Sequence, residues 1–243
     1  MKRIWSTPAG SYSKLYYDML QQSHLLIAGA PGSGKSTILH GLVYTALFDS
    51  PASTRFVFID PKRMELCEYK KLPHTLVYAS EPDEIVRILN SVLQLIDSRY
   101  KEMQKRKEKL YNGSNVYVVI DELADLTTTA QKKIYIPLIQ RLCQIGRPAR
   151  IHVIAVTKCP KSDVIPTPIK VNFDSRVGLR TFSAQDSRNI LGVSGCESLP
   201  RFGEGYYMKP EGIERYIIPI VSDEEKKTMI DFWVKQRPKI RFF

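Results

Sequence analysis

His24-Leu25-Leu26-Ile27-Ala28-Gly29-Ala30-Pro31-Gly32-Ser33-Gly34-Lys35-Ser36-Thr37 joins an apolar run, a glycine-rich turn and the start of a periodic stretch. Residues 29–36 fit the spacing G-x-x-x-x-G-K-[ST]. The apolar run predicts a buried strand, and Ile38, Leu39, Leu42, Val43 and Leu47 predict a helix leading out. Strand, loop and helix in that order are the setting of a phosphate-binding loop. Its glycines let successive N–H groups turn inward at the positive end of a helix. Gly29, Ala30, Pro31, Gly32, Ser33, Gly34, Lys35, Ser36 and Thr37 are therefore the candidate nucleotide-binding residues. Lys35 is placed to reach β- and γ-phosphates, and the Ser36 hydroxyl to ligate Mg²⁺.

Outward from that loop, short apolar runs alternate with longer helical stretches. Strands are expected at 24–29, 55–60, 75–78, 116–121 and 151–156, and helices at 35–48, 83–110, 129–145 and 222–235. That alternation signals an α/β domain with a mainly parallel central sheet and helices on both faces. Segment 174–220 reads as further strands and a short helix at 184–191, a β-rich C-terminal addition to the same sheet. The expected organisation is an N-terminal arm at 1–23, one α/β domain at 24–235 and a basic tail at 236–243.

The apolar run Val116-Tyr117-Val118-Val119-Ile120 ends in Asp121 and Glu122. A carboxylate at the carboxyl end of a parallel strand points into the ligand crevice. Asp121 is placed to hold Mg²⁺, directly or through water. Glu122 suits orienting a water and taking its proton, or is simply a first-turn helix charge. Two strand candidates lie between Lys35 and Asp121, a spacing that suits RecA-like motor ATPases better than nucleotide kinases.

Composition narrows the partners. The chain has 243 residues, 43% hydrophobic and 25% charged, which excludes a disordered or collagen-like chain. Lys and Arg number 36 against 25 Asp and Glu, a net charge of +11 that favours a polyanionic partner. Cys67, Cys143, Cys159 and Cys196 form no Cys-x-x-Cys pair, so neither a zinc site nor a disulfide framework is expected. No apolar run approaches the ~20 residues of a membrane span, and a cytoplasmic location is expected.

Several blocks, in order, resemble the FtsK/SpoIIIE family of DNA translocases. Ile59-Asp60-Pro61-Lys62-Arg63-Met64-Glu65-Leu66 is similar to its I-D-P-K-x-x-E-L, and Asp121-Glu122-Leu123-Ala124-Asp125-Leu126 to its D-E-L-A-D-L. Gly146-Arg147-Pro148-Ala149-Arg150-Ile151-His152 resembles G-R-A-A-G-I-H, and Asp186-Ser187-Arg188-Asn189-Ile190-Leu191 resembles D-S-R-T-I-L. Gly203-Glu204 through Tyr207 and Val221-Ser222-Asp223-Glu224-Glu225 complete the series. The resemblance implies a RecA-like P-loop NTPase core that forms a ring, usually a hexamer, around double-stranded DNA. It implies ATP hydrolysis with Mg²⁺ between neighbouring subunits of the homo-oligomer, driving the duplex through the pore. Arg147 is the first candidate for an arginine acting in trans, with Arg176 and Arg188 as rivals. Asp60 and Lys62 support the nucleotide site or the subunit interface, or merely form a turn.

The sequence also departs from that pattern. The family's A-T-Q-R-P loop reads Val156-Thr157-Lys158-Cys159-Pro160, with lysine in place of glutamine. Lys158 contacts phosphate or faces DNA, and Thr157 is an alternative phosphate sensor. Lys158, Lys161 and Lys170 are the candidate DNA contacts of a pore loop. Two more clusters are a basic run from Arg99 to Lys109 and the tail Lys235, Arg237, Lys239 and Arg241; the former reads first as a solvated helix face. The family's membrane anchor, extra motor subdomain and winged-helix reader are not expected here, so a recruitment or membrane partner is. Alternatives are a packaging or secretion ATPase acting on protein or single-stranded DNA, and a nucleotide-dependent assembly protein with little turnover.

Overall fold

The computed structural model describes residues 12–158 and 164–236. In chain order the elements are α1 (Tyr12–Gln21), β1 (His24–Ala28), α2 (Lys35–Asp49), β2 (Thr54–Ile59), β3 (Thr75–Ala79), α3 (Pro82–Arg106), β4 (Asn115–Ile120) and α4 (Ala124–Thr127). They continue with α5 (Lys132–Ile145), β5 (Ile151–Thr157), α6 (Thr167–Lys170), β6 (Ser175–Gly178), α7 (Ala184–Leu191), β7 (Glu204–Lys209), β8 (Gly212–Ile217) and α8 (Asp223–Gln236). The strands form one sheet in the order β3-β2-β4-β5-β1-β6-β7-β8. β3 through β6 in that order run parallel, and β7 and β8 add antiparallel.

The period of two along each strand explains why both faces are dry. Ile27, Phe56, Phe58, Tyr117 and Val119 face one core, with Ile38, Leu42 and Trp233 of α2 and α8. Leu26, Val57, Ile59, Val118 and Ile120 face the other, with Ile85, Leu89, Ile139 and Leu142 of α3 and α5. A strand covered on both sides must be apolar at every position, which β4 is from Val116 to Ile120.

α3 begins at Pro82, where fixed φ and a missing N–H cost nothing. Glu81 and Glu84 close a capping box around that start. The helix stops at Arg106 because Lys107 turns left-handed (φ 56°), four residues short of the expected end.

Residues 12–21 are not a peripheral arm. They form α1, whose Leu15, Tyr16, Met19 and Leu20 are buried in the first core. The Tyr16 hydroxyl donates to the Pro219 carbonyl at 2.8 Å. A Cβ on Gly41 of α2 would stand 2.3 Å from the Tyr16 ring, so the two helices meet this closely only over a glycine. The amphipathic pattern of α1 is short and lies before the first strand, which is why the sequence alone left it outside. Residues 237–243 of the basic tail lie outside the described residues.

Candidate nucleotide site

The ends of the parallel strands are stitched together by main-chain bonds, and that row positions the site. Asp121 N–H donates to Ile59 O at 3.1 Å, Leu123 N–H to Val156 O at 2.7 Å, and Gly29 N–H to Thr157 O at 3.3 Å. Leu179 N–H donates to Ala28 O at 2.9 Å. The loops after β1, β4 and β5 therefore open at the same edge of the sheet, with β5 between the other two.

The loop after β1 turns through Gly34 at φ 100°, a left-handed conformation that favours glycine, and enters α2 at Lys35. The Lys35 ammonium donates to Gly29 O at 2.9 Å and Ala30 O at 2.8 Å. Its pKa is lowered, chiefly by burial; Glu122 opposes the shift, Lys158 adds to it and Asp121 again opposes it. Phosphate loop, acidic pair and Lys158 thus lie within electrostatic reach of one another.

The Asp121 carboxyl is pushed up to about 7, first by burial and then by Asp60, Glu65 and Glu122, with Lys62 opposing. Such a crowd of acids favours a cation. Among the described residues no three His, Cys, Asp or Glu side chains cluster closely enough to hold a metal by themselves. Mg²⁺ needs no such cluster, since one or two protein oxygens bind it with phosphate and water completing the octahedron. Ser36 and Asp121 are the suitable pair.

Glu122 is buried, and its Oε1 accepts from Ala124 N–H at 3.3 Å. Lys158 meets it from the end of β5. The Lys158 backbone N–H lies 3.4 Å from each carboxylate oxygen, and its Nζ 3.8 Å from Oε2.

The two acidic motifs are also joined. Asp60 is fully buried; its Oδ2 accepts from Leu66 N–H and the Tyr78 hydroxyl, each at 3.1 Å, and so shapes the loop after β2. That loop carries Lys62, whose Nζ lies 3.0 Å from Asp125 Oδ2. Asp60 is a loop organiser, and Lys62 links the second-strand motif to the fourth-strand motif.

Beside the phosphate loop a cleft of about 340 Å³ is lined by Gly32, Gly34, Lys35, Ser36, Thr37, Phe202, Gly203, Ile218 and Ile220. Phe202 and Ile220 are 65% and 73% exposed, apolar surface left open at its mouth. The Arg201 guanidinium stands over the loop, 3.6 Å from where a Cβ on Gly32 would be. Sequence reasoning missed these residues. The only signal was an aromatic between Arg201 and Gly203, with no motif attached to it.

Other predicted residues lie elsewhere. Arg147 sits beside His24, at the N-terminal end of β1 and away from its own chain's phosphate loop. Arg176 is committed to carbonyls, donating to Phe173, Ile190 and Lys170 at 3.0–3.1 Å. Arg188 is exposed on α7. Lys158 is drawn to Glu122, and Lys170 lies in the neighbourhood of Arg176. Lys161 lies outside the described residues. Arg99, expected in a solvated or DNA-facing run, is instead 5% exposed, donates to Ser114 O and Ala149 O, and stacks on Tyr111.

A sequence profile of the FtsK/SpoIIIE family matches residues 7–197. The chain belongs to the FtsK/SpoIIIE family. It is 34% identical over 242 residues to the DNA translocase FtsK of Helicobacter pylori, an alignment covering 93% of this chain and 28% of that protein. The chain thus spans under a third of that relative's length. Among solved structures, the pCW3 conjugation coupling protein TcpA, in its monomer form with ATPγS, superposes at TM-score 0.79 with 21% identity, covering 88% of this chain and 66% of that one. The cytoplasmic domain of the type VII secretion ATPase EccC from Thermomonospora curvata gives 0.73 and 26%, over 90% and 29% of the two chains. The fold is that of the RecA-like P-loop ATPases, and the phosphate-loop and Asp121-Glu122 blocks meet at one edge of its sheet. Among the described residues no helix is long and apolar enough to cross a membrane.

Proposed function

We propose that this chain is the motor of an ATP-driven double-stranded DNA translocase, acting as a ring of identical subunits in the cytoplasm. The observation that carries the reading is the meeting of Lys35, Asp121 and Glu122 at one sheet edge, in a chain of this family. The phosphate-loop N–H groups and Lys35 bind and orient the triphosphate. Phe202, Ile218 and Ile220 give its base an apolar slot. Ser36 and Asp121 would hold Mg²⁺, which neutralises charge on the phosphates when bound. Glu122 orients the attacking water and takes its proton as the water oxygen bonds to the γ-phosphorus. The bond to the bridging oxygen then breaks and ADP departs.

Among the described residues Arg201 of the same chain stands over Gly32 of the phosphate loop. A neighbouring subunit supplies a further arginine in this reading, from Arg147 or the exposed Arg188. Duplex contact is through phosphates, is independent of sequence and weakens with salt. The net charge of +11 supports a polyanionic track. The likeness to a type VII secretion ATPase supports one second reading, a motor acting on protein.

The test is ATP hydrolysis by the purified chain with linear duplex, single strand or no nucleic acid. Stimulation by long duplex, lost in Lys35→Ala and Glu122→Gln, supports the reading. A turnover rate indifferent to duplex contradicts it.

A further inference from the structure

Lys158 directly follows β5, the strand lying between the phosphate-loop strand β1 and the acidic strand β4. Its side chain is 48% exposed, whereas that of its partner Glu122 is 7% exposed. One member of the pair is therefore buried and the other is a long, half-exposed side chain that also neighbours Lys62. The buried member is the acid that has to accept a proton from water. The exposed member carries three donors and a full positive charge. Lys35, the phosphate-loop lysine, lies within electrostatic range of both.

A triphosphate on the phosphate loop presents a second anion to the same ammonium. Its γ-phosphate bears more charge than a carboxylate and offers three oxygens. A glutamine amide at this position could bond to that phosphate, but being neutral it could not form an ion pair with Glu122. The substitution at position 158 thus adds a capacity rather than removing one.

We propose that Lys158 is a γ-phosphate-sensing residue that divides its ammonium between Glu122 and the terminal phosphate. While it pairs with Glu122 it occupies the carboxylate that must orient water. Its transfer to the γ-phosphate frees that carboxylate and adds positive charge to the phosphoryl group. ADP, which lacks the γ-phosphate, leaves the pair with Glu122 in place. The device links the diphosphate or triphosphate state of the nucleotide to whether the base is available. It rests on the nucleotide reading of the site.

The test is binding rather than turnover. Affinities for ATPγS and for ADP, both with Mg²⁺, are measured by calorimetry on the full chain. The variants are wild type, Glu122→Gln, Lys158→Gln and the double substitution. If Glu122 competes for the ammonium, Glu122→Gln releases it and raises the preference for ATPγS over ADP by about tenfold, a usual size for coupling between linked sites. In the Lys158→Gln background the same change moves that preference less than about twofold. Lys158→Arg, which keeps the charge, retains most of the coupling. The inference is overturned if Glu122→Gln raises the preference equally in both backgrounds. Relief of simple repulsion between Glu122 and the γ-phosphate would give that result. Failure of the wild-type chain to bind either nucleotide overturns the site reading itself, and this inference with it.

Discussion

The N–H of Ala30 donates to the carbonyl of Arg180 at 2.7 Å, tying the phosphate loop to the chain just beyond β6. Packing reinforces the tie: a Cβ on Gly29 would collide with Leu179 at 2.7 Å. The same C-terminal part supplies Arg201, Phe202, Ile218 and Ile220 to the loop's surroundings. The segments flanking the antiparallel extension of the sheet are therefore one wall of the cleft beside the phosphate loop.

Removing that wall should change binding more than chemistry. Phe202→Ala is expected to weaken ATP binding by about tenfold, near 1.4 kcal/mol, as loss of a base-facing aromatic would. Steady-state kinetics check it: KM rises and kcat holds. A fall in kcat with KM unchanged would remove Phe202 from the base slot.

The acid cluster predicts two opposite pH effects. The Asp121 carboxyl, held up to about 7 by burial and neighbouring acids, ionises in the folded chain only near neutrality. Because its folded pKa lies above its unfolded value, ionisation disfavours the fold. Stability without nucleotide should fall as pH rises from about 4 through 7, and Asp121→Asn should flatten that fall in thermal melts. Mg²⁺-ATP affinity should instead increase over the upper part of this range, because the proton must leave before the cation is held. Titration calorimetry at about pH 6 and pH 8 reads the difference, which Asp121→Asn should abolish.

The bridge between Lys62 and Asp125 is partly open to water, with 39% and 27% of the two side chains exposed. Solvent screening limits its contribution to stability to about 1 kcal/mol or less. Its consequence should lie in alignment of the loops after β2 and β4. Lys62→Met is expected to lower kcat by at least several-fold with little change in denaturant midpoint. A matched loss of stability and activity would make the bridge purely structural.

The contact of Tyr16 with Gly41 predicts a different failure. Gly41→Ala places a methyl into the buried Tyr16 ring and should destabilise the fold by roughly 1–3 kcal/mol, as overpacking does. Chemical denaturation reads this directly. Trimming the ring as well, in Tyr16→Leu with Gly41→Ala, should recover part of the loss.

The parts of this molecule legible in the sequence are those governed by local rules. Apolar saturation of β4 and β5 revealed a sheet covered on both faces, and glycine spacing revealed the loop entering α2. The order of strands was not written locally: nothing in residues 151–157 says that β5 must lie between β1 and β4. That placement brings Lys158 to Glu122, a partner the sequence alone did not name when it left Lys158 contacting phosphate or facing DNA. Arg99 misled for the same reason, since its carbonyl partners Ser114 and Ala149 come from distant parts of the chain. Arg150 holds a left-handed φ of 53° where the family pattern has glycine; its guanidinium donates to Tyr111 O at 2.7 Å. No sequence rule predicts that compensation.

The most direct measurement of the central claim is ATP turnover against protein concentration, with and without long linear duplex, at low salt. A motor whose sites are completed by neighbouring subunits predicts a rate per chain that rises cooperatively with concentration and is raised strongly by duplex. A rate per chain that is constant with concentration and identical with and without duplex would contradict it.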